Sequence, residues 1–519
     1  MVEASPQSPE NDSAWRLRFS LGWMLIALVF VGSASYLWSI HLRYLSIFDS
    51  INFAYSLTRF NTFLHMPQPP GYPGFVLIAR IFNKVLPTPT STFFVVGIMA
   101  SLVTGLFAAK LGEMLSSAKA GIAAAALIML NPATFSSIVV SPVRVFLGLV
   151  SAAVGCLAWR MWTHPHEKWS FYAAWVTLGI GSSFRPELAA FLFPLVFVAS
   201  LRQRQSWGTL AAALLLFGGC IFLWLIPTAR PGGGIVAYFH LLRGFFADQS
   251  AAAVEVNSRG GTNPFWHMLL EATVWTFMGV LAWIWALPLL IRRGWSLGRS
   301  GIAFFLLWFL PGFLFHCIFH IAAPGHALGT VTTLSVLGGL ALGSFRRNWL
   351  FVGGIIIASV INILLFLNPI MWSQGSPEWL ENTNYQTVPG MQELQTEVAA
   401  KNAFIIVNVG VFSWRALRYY FPNTRLLLLE PGLAPDCPSC PSYFGPPKAS
   451  PSAIHGTIPV PACGRLVWDI NYGVPDSIES SVDRNVVGPI PIIIAKPGLS
   501  FDLPGMHFES QSQGFCQSQ

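Results

Sequence analysis

Residues 48–75 read FDSINFAYSLTRFNTFLHMPQPPGYPGF. The stretch holds one acid (Asp49), one arginine (Arg59), one histidine (His65) and a proline-rich exit, PQPPGYPG. Strongly apolar sequence lies on either side. A helical period puts Asp49, Asn52, Ser56 and Arg59 on one stripe, and Phe53, Leu57, Phe60 and Leu64 on another. That pattern predicts an amphipathic helix lying at a membrane surface. Proline fixes φ and cannot continue a helix, so the exit predicts a stiff extended turn where the chain re-enters the membrane, with Tyr72 as an interfacial anchor. Two readings of Asp49 stand open at this point. Aspartate is a favoured helix N-cap, and a carboxylate on a polar stripe is also a candidate general base.

The rest of the chain sets the context. Of 519 residues, 54% are hydrophobic and only 10% charged, where a soluble domain carries about a quarter charged. Mean hydropathy is +0.57. The fold class is therefore a polytopic α-helical membrane protein, with about eleven transmembrane segments at 20–40, 91–111, 120–140, 143–161, 170–184, 187–201, 207–228, 267–291, 301–321, 326–344 and 348–369. The net charge of +8 reports topology here and is no sign of nucleic-acid binding. Six basic clusters, from Arg16/Arg18 to Arg346/Arg347, fall where a chain with its N-terminus inside returns to the cytoplasm. Loops 41–90 and 229–266 then lie outside, as does the tail from 370. The first segment reads as a signal anchor in the cytoplasmic (inner) membrane, because no small-residue cleavage site follows it. Gly74–Leu86, interrupted by Arg80, Asn83 and Lys84, is too short to span and reads as interfacial or re-entrant.

Three regions follow: a cytoplasmic tail (1–19), a membrane domain (20–369) and an exported domain (370–519). In the last, GSPEWLENTNYQTVPG reads as a linker. AFIIVNVG and TRLLLLE then read as strands around a short helix, VFSWRALRYYF, with GRLVWDINYG and GPIPIIIAKPG as later strands. This predicts a small α/β domain. It has no phosphate-binding glycine loop, so it reads as a structural or substrate-guiding cap. Cys437 and Cys440 (CPSC) predict a disulfide, with a metal half-site as the alternative; Cys463 and Cys516 share the exported setting. Cys156, Cys220 and Cys317 read as core packing.

The remaining unusual polar residues gather on the outer side, which matters because ionisable groups at membrane depth are costly and face cavities. LNPATFSSIVVSPVRVF places Arg144 at an outer corner. SSFRPELAAF places Arg185 and Glu187 at another, either as a mutual ion pair or as a ligand site. The loop with GGGIVAYFHLLRG carries Arg243 and resembles a mobile lid. HCIFHIAAPGHALG brings His316, His320 and His326 toward one end. Their spacing allows zinc, but no paired carboxylate follows in sequence, so neither a metal nor any other cofactor is expected. One carboxylate among several cations suits a phosphorylated lipid held beside a base.

These pieces resemble the GT-C superfamily of membrane glycosyltransferases. The nearest likeness is to bacterial relatives of the protein O-mannosyltransferases, including aminoarabinose and RgtA-like sugar transferases. The shared pattern is Asp49 followed by HMPQPPGYP, then Asn131-Pro132 to Ser141-Pro142-Val143-Arg144, FRPEL, GGGIVAY and His320-Ile321-Ala322-Ala323-Pro324-Gly325. It covers about 49–330, with SWRALRYYFP in the tail a looser match. The resemblance implies inverting transfer of a sugar from a polyprenyl-phosphate donor to an extracytoplasmic lipid, glycan or protein acceptor. It makes Asp49 the catalytic acid position and Arg59, Arg144, Arg185 and Arg243 candidates for the donor phosphate. His65, Tyr72, His320 and His326 become candidate cavity residues. Relatives often keep two adjacent acids where this chain has Asp49-Ser50, which favours a single base over a metal-dependent mechanism. A transporter or flippase of a lipid-linked or polar solute is the alternative. Such proteins often show internal repeats, and none stands out here.

Overall fold

The computed structural model describes residues 9–258, 264–292, 298–318, 323–368 and 375–399. In the C-terminal part it describes 403–408, 412–431, 437, 440–444, 452–454, 456–460, 465–470, 492–494, 500–503 and 506–510. The chain divides into two compact units. The first comprises Met1–His41 and Ser56–Trp379, the second Leu42–Tyr55 and Leu380–Gln519.

The first unit is helical, and the described residues of the eleven predicted segments lie mostly on helix. Seven helices among the described residues are long and apolar enough to cross a membrane: Pro89–Leu115, Pro142–Thr163, Trp207–Gly232, Phe265–Ala282, Gly298–Ile318, Pro324–Gly343 and Asn348–Leu367. Segment 120–140 makes an eighth only as a pair, Ala118–Met129 and Pro132–Val140, bent by 45°. The cause is local. Pro132 has no N–H to continue the ladder, and Asn131 Oδ1 instead accepts the Ala133 N–H at 2.9 Å to start a new helix. The other three segments fall short. Lys168–Gly181 has 14 residues, Glu187–Arg202 has 16, and the described apolar part of the first is Ile26–Ile40. Length and composition alone therefore do not reach eleven crossings among the described residues.

Small residues set the centre of this unit. Ala118–Met129 packs between Pro89–Leu115 and Leu328–Gly343. A Cβ added to Gly339 would sit 2.5 Å from Ala120 O, and one on Gly343 would sit 2.8 Å from Ala120 Cα. The backbones touch, which is how helices gain dispersion energy in a bilayer, where the hydrophobic effect does not draw them together. Two buried indoles find partners: Trp308 Nε1 donates to Ser151 Oγ at 2.8 Å and Trp175 Nε1 to Ser200 Oγ at 3.1 Å. The segment read as interfacial forms the ten-residue helix Pro73–Phe82. Its Arg80 donates from Nε and Nη2 to Ser56 O at 3.0 and 2.7 Å, in the last turn of the helix Phe48–Thr58. Helix C-termini favour such cations.

Residues 375–390 are not the predicted linker. They open the helix Pro377–Ala399. Ser376 Oγ accepts the Trp379 N–H at 3.1 Å, and Pro377 and Glu378 suit a first turn. The polar composition that read as loop is that of a helix with a narrow buried side, marked by Leu380, Met391 and Leu394.

The second unit contains the predicted α/β domain. Nine strands are described: β1 (Phe404–Asn408), β2 (Arg425–Pro431), β3 (Pro441–Phe444), β4 (Ser452–Ala453), β5 (Gly456–Val460), β6 (Arg465–Ile470), β7 (Ile492–Ile494), β8 (Ser500–Leu503) and β9 (Met506–Ser510). One sheet runs β4-β3-β2-β1-β6-β7 and a second runs β5-β9-β8. β1 lies parallel to both β2 and β6. A strand buried on both faces reads as an unbroken apolar run, and FIIV and LLLL are such runs. Between the sheets' side chains, Phe501 stacks on Phe508 at 4.5 Å beside Trp468, Phe404 and Ile458. Cys437 and Cys440 form a disulfide; Cys463 and Cys516 lie outside the described residues.

The helix contacts make a prediction. Gly339→Leu has no room beside Ala120 and should lower stability by at least about 1–3 kcal/mol. Gly353→Leu, with nothing within 4 Å of its added Cβ, should leave it unchanged. Thermal unfolding midpoints of the two variants in detergent make the comparison; equal midpoints would refute the packing argument.

Candidate functional site

The proline turn of the first unit is buried and folded back on itself, not extended. Asn61 and Met66 exchange backbone hydrogen bonds of 2.6 and 2.9 Å, closing a small loop. His65, half-buried, sits at its end with φ 53° and donates its N–H to Thr62 O at 3.2 Å. The Met66–Pro67 and Pro69–Pro70 peptide bonds are cis. Gly71, at φ 103°, donates to Gln68 O at 2.9 Å. Tyr72 follows with φ 47°, leading into the helix Pro73–Phe82. Other parts of the unit hold this turn from outside it. Tyr238 Oη donates to Pro70 O at 2.7 Å, and Gly74 N donates to Ser183 O at 3.1 Å. Burial pushes the Tyr238 phenol up, which keeps it a donor.

Three phenylalanines join the sequence motifs. Phe146, two residues after Arg144, stacks on Phe184, the residue before Arg185, with centroids 4.4 Å apart and planes 7° apart. Phe75, at the end of the proline turn, meets Phe146 edge-on at 5.9 Å and Phe93 at 5.8 Å. Aromatic pairs of this geometry contribute about 0.5–1.5 kcal/mol beyond their burial. The polar neighbours of these rings are brought together in consequence. The Arg185 guanidinium lies 5.1 Å over the Tyr72 ring and is paired with Glu187, Nε donating to Oε1 at 2.6 Å. The ion pair expected at this corner is therefore present. At the other corner, a Cβ on Gly325 would sit 2.8 Å from Arg144 Cδ, so the PGH segment closes tightly over Arg144. His326, buried, stacks with buried His316 at 6.4 Å and 19°. Both line a small cavity with Ser151, Trp308 and Thr330.

Not every candidate joins this group. Arg59 lies beyond the end of the helix Phe48–Thr58 and is exposed, and Arg243 is exposed on the helix Ile235–Ser258. His320 lies outside the described residues. Among the described residues, no three His, Cys, Asp or Glu side chains converge as a metal site requires.

Asp49 belongs to the second unit. The helix starts one residue before it, so Asp49 stands inside the first turn instead of capping it. There the helix dipole favours the carboxylate. The polar stripe does not face water as an amphipathic surface helix requires. Asn52 and Ser56 are fully buried, as are Ile51, Phe53 and Ala54. The 3.6-residue period is present, but the middle of the polar stripe, Asn52 and Ser56, is covered, and only Arg59 at its end is exposed. Asn52 Oδ1 accepts from Arg415 Nε at 2.5 Å, a partner 363 residues away that the tail motif SWRALRYYF contained without indicating its role.

The chain matches no family model and no curated protein. Solved structures do match. ArnT from Cupriavidus metallidurans in the apo state aligns at TM-score 0.52 and 14% identity, over 79% of this chain and 86% of that one. ArnT from the same organism bound to undecaprenyl phosphate aligns at 0.48 and 15%, over 78% and 85%. The Archaeoglobus fulgidus oligosaccharyltransferase in the apo form aligns at 0.41 and 11%, over 76% and 63%.

The motif geometry makes a prediction of its own. Phe146→Ala should destabilise the first unit by about 3–5 kcal/mol, and Phe146→Leu by clearly less. A detergent melt in which both behave as wild type would remove the aromatic junction from the account. With that junction at its polar end and its bundle of apolar helices, the chain shares the fold of ArnT.

Proposed function

We propose that the protein is a glycosyltransferase that moves a sugar from a polyprenyl-phosphate donor to an acceptor outside the cytoplasmic membrane. The observation that carries this reading is the meeting of four separated motifs, PPGYPGF, SPVRVF, SSFRPE and PGH, around Arg144 and Arg185. A structural core has no need of arginines at such a junction, where a charge is costly unless it has work to do. The fold shared with ArnT fits the same reading.

Asp49 is assigned the role of general base. It takes the proton of an acceptor hydroxyl, whose oxygen attacks the anomeric carbon of the sugar. The bond from that carbon to the phosphate oxygen breaks, the sugar inverts, and polyprenyl phosphate leaves. Arg144 and Arg185 are assigned to the phosphate, where a guanidinium can offer paired donors to the developing charge. Tyr72 and Glu187 orient Arg185 in this scheme. His65 and His326 line the cavity in it. A serine after Asp49 leaves one base, so the scheme uses no metal. The acceptor class is a lipid, a glycan or a protein of the envelope.

Asp49→Asn should lower transfer by about 100-fold or more while the protein still folds and inserts. Arg144→Gln should weaken undecaprenyl phosphate binding with a smaller effect on the chemical step. Mass spectrometry of envelope lipids and glycans, with and without the protein, identifies the sugar and product. Membranes then report the variants' rates. Wild-type transfer by Asp49→Asn, or solute uptake into vesicles with no glycosylated product, would overturn the reading.

A further inference from the structure

The roles assigned so far make no use of the helix Trp414–Tyr420 in the second unit. Yet this helix is fastened at several points to residues 44–55 of the same unit. The Arg415 guanidinium lies over the rings of Tyr55, Trp414 and Phe48, at 4.9, 5.5 and 5.9 Å. Its Nε donates to Asn52 Oδ1. Tyr419 meets Tyr55 edge-on at 5.1 Å, Tyr420 meets Tyr44 at 5.7 Å, and the Leu45 N–H donates to Tyr420 Oη at 2.8 Å. Burial raises the Tyr55 phenol to about 12, so it lies beneath the cation as a neutral ring.

The anchored residues surround Asp49. Phe48 precedes it, and Asn52, three residues on, is its neighbour along the helix face. A helix of eleven residues has little stability of its own, so its pitch and rotation are set by what it packs against. Here the fastening is a planar guanidinium held between rings, with one hydrogen bond into a fully buried amide. Such a joint restricts rotation about the helix axis in a way that apolar packing alone does not.

We propose that Arg415 and Asn52 are positioning residues for Asp49: through the Nε–H···Oδ1 bond, the tail helix fixes the orientation of the helix that carries the base. The C-terminal unit is then part of the catalytic machinery and more than a cap. This rests on the reading of Asp49 as base.

The test uses the full chain in membranes, the donor identified by mass spectrometry, and undecaprenyl phosphate as the binding probe. Arg415→Met and Asn52→Leu should each lower kcat about 100-fold, the cost of a misplacement near 1 Å. The double variant should be no worse than about either single one, because both break the same link. Binding of undecaprenyl phosphate should stay at the wild-type level in all three. Asn52→Asp keeps an oxygen acceptor for Nε and should retain most of the rate. Three results would overturn the inference: a normal kcat in Arg415→Met, equal losses in Asn52→Asp and Asn52→Leu, or weakened binding with kcat intact. Asp49→Asn, run in parallel, separates the two levels. If it transfers sugar normally, the base assignment itself fails. If it is inactive while Arg415→Met and Asn52→Leu turn over normally, only the positioning role fails.

Discussion

The stack of Phe146 on Phe184 is the contact on which the polar end of the first unit depends. Each ring belongs to a corner between helices, and each corner carries an arginine within two residues. Ring stacking is directional, so it fixes the distance between corners and also their relative rotation. Phe75 adds the proline turn to the same junction. Long-range order among polar residues therefore comes from apolar ones. The bundle could satisfy its hydrophobic surface in many ways, but it can bring these rings into register in few.

The arginines show a second constraint. Removing a guanidinium from water is expensive, and the cost is offset where its donors, or its donors and its faces, are occupied. Arg185 has Glu187 at its edge and Tyr72 at its face. Arg80 gives two donors to one carbonyl at a helix end. Arg415 has an amide at its edge and aromatic rings over its faces. Neutral partners serve in two of these three cases. A neutral partner fastens the cation without cancelling its charge, so the same residue can hold structure and still act on a distant anion.

Much of this was legible in the sequence, for identifiable reasons. Apolar runs in a low-charge chain leave little alternative to membrane helices, and FIIV and LLLL, short apolar runs on either side of a short helix, read as strands. The corners around Arg144 and Arg185 were visible because an arginine within apolar sequence is costly and therefore rare. What escaped depended on partners far along the chain. The stripe from Asp49 to Ser56 has the period of a surface helix, and only the contact with Arg415 shows that its polar side is buried. The 375–390 segment looked like a linker because a helix with one thin buried edge has nearly the composition of a loop. Segment 120–140 had the length of a span, while the Asn131-Pro132 pair that breaks it has equally good uses at a helix end.

Position 50 can now be understood physically. Ser50, and no second acid, directly follows Asp49. Ser50 is buried, in a turn whose next residues, Ile51 and Asn52, are fully buried too. A carboxylate at that point would have to be dehydrated, at a cost of several kcal/mol unless a cation met it. Arg415 directs its Nε–H to Asn52, two residues further on. Asp49, one residue earlier, is only half-buried and stands where the helix dipole favours its charge. The packing that fastens this helix to the tail therefore favours one acid over two.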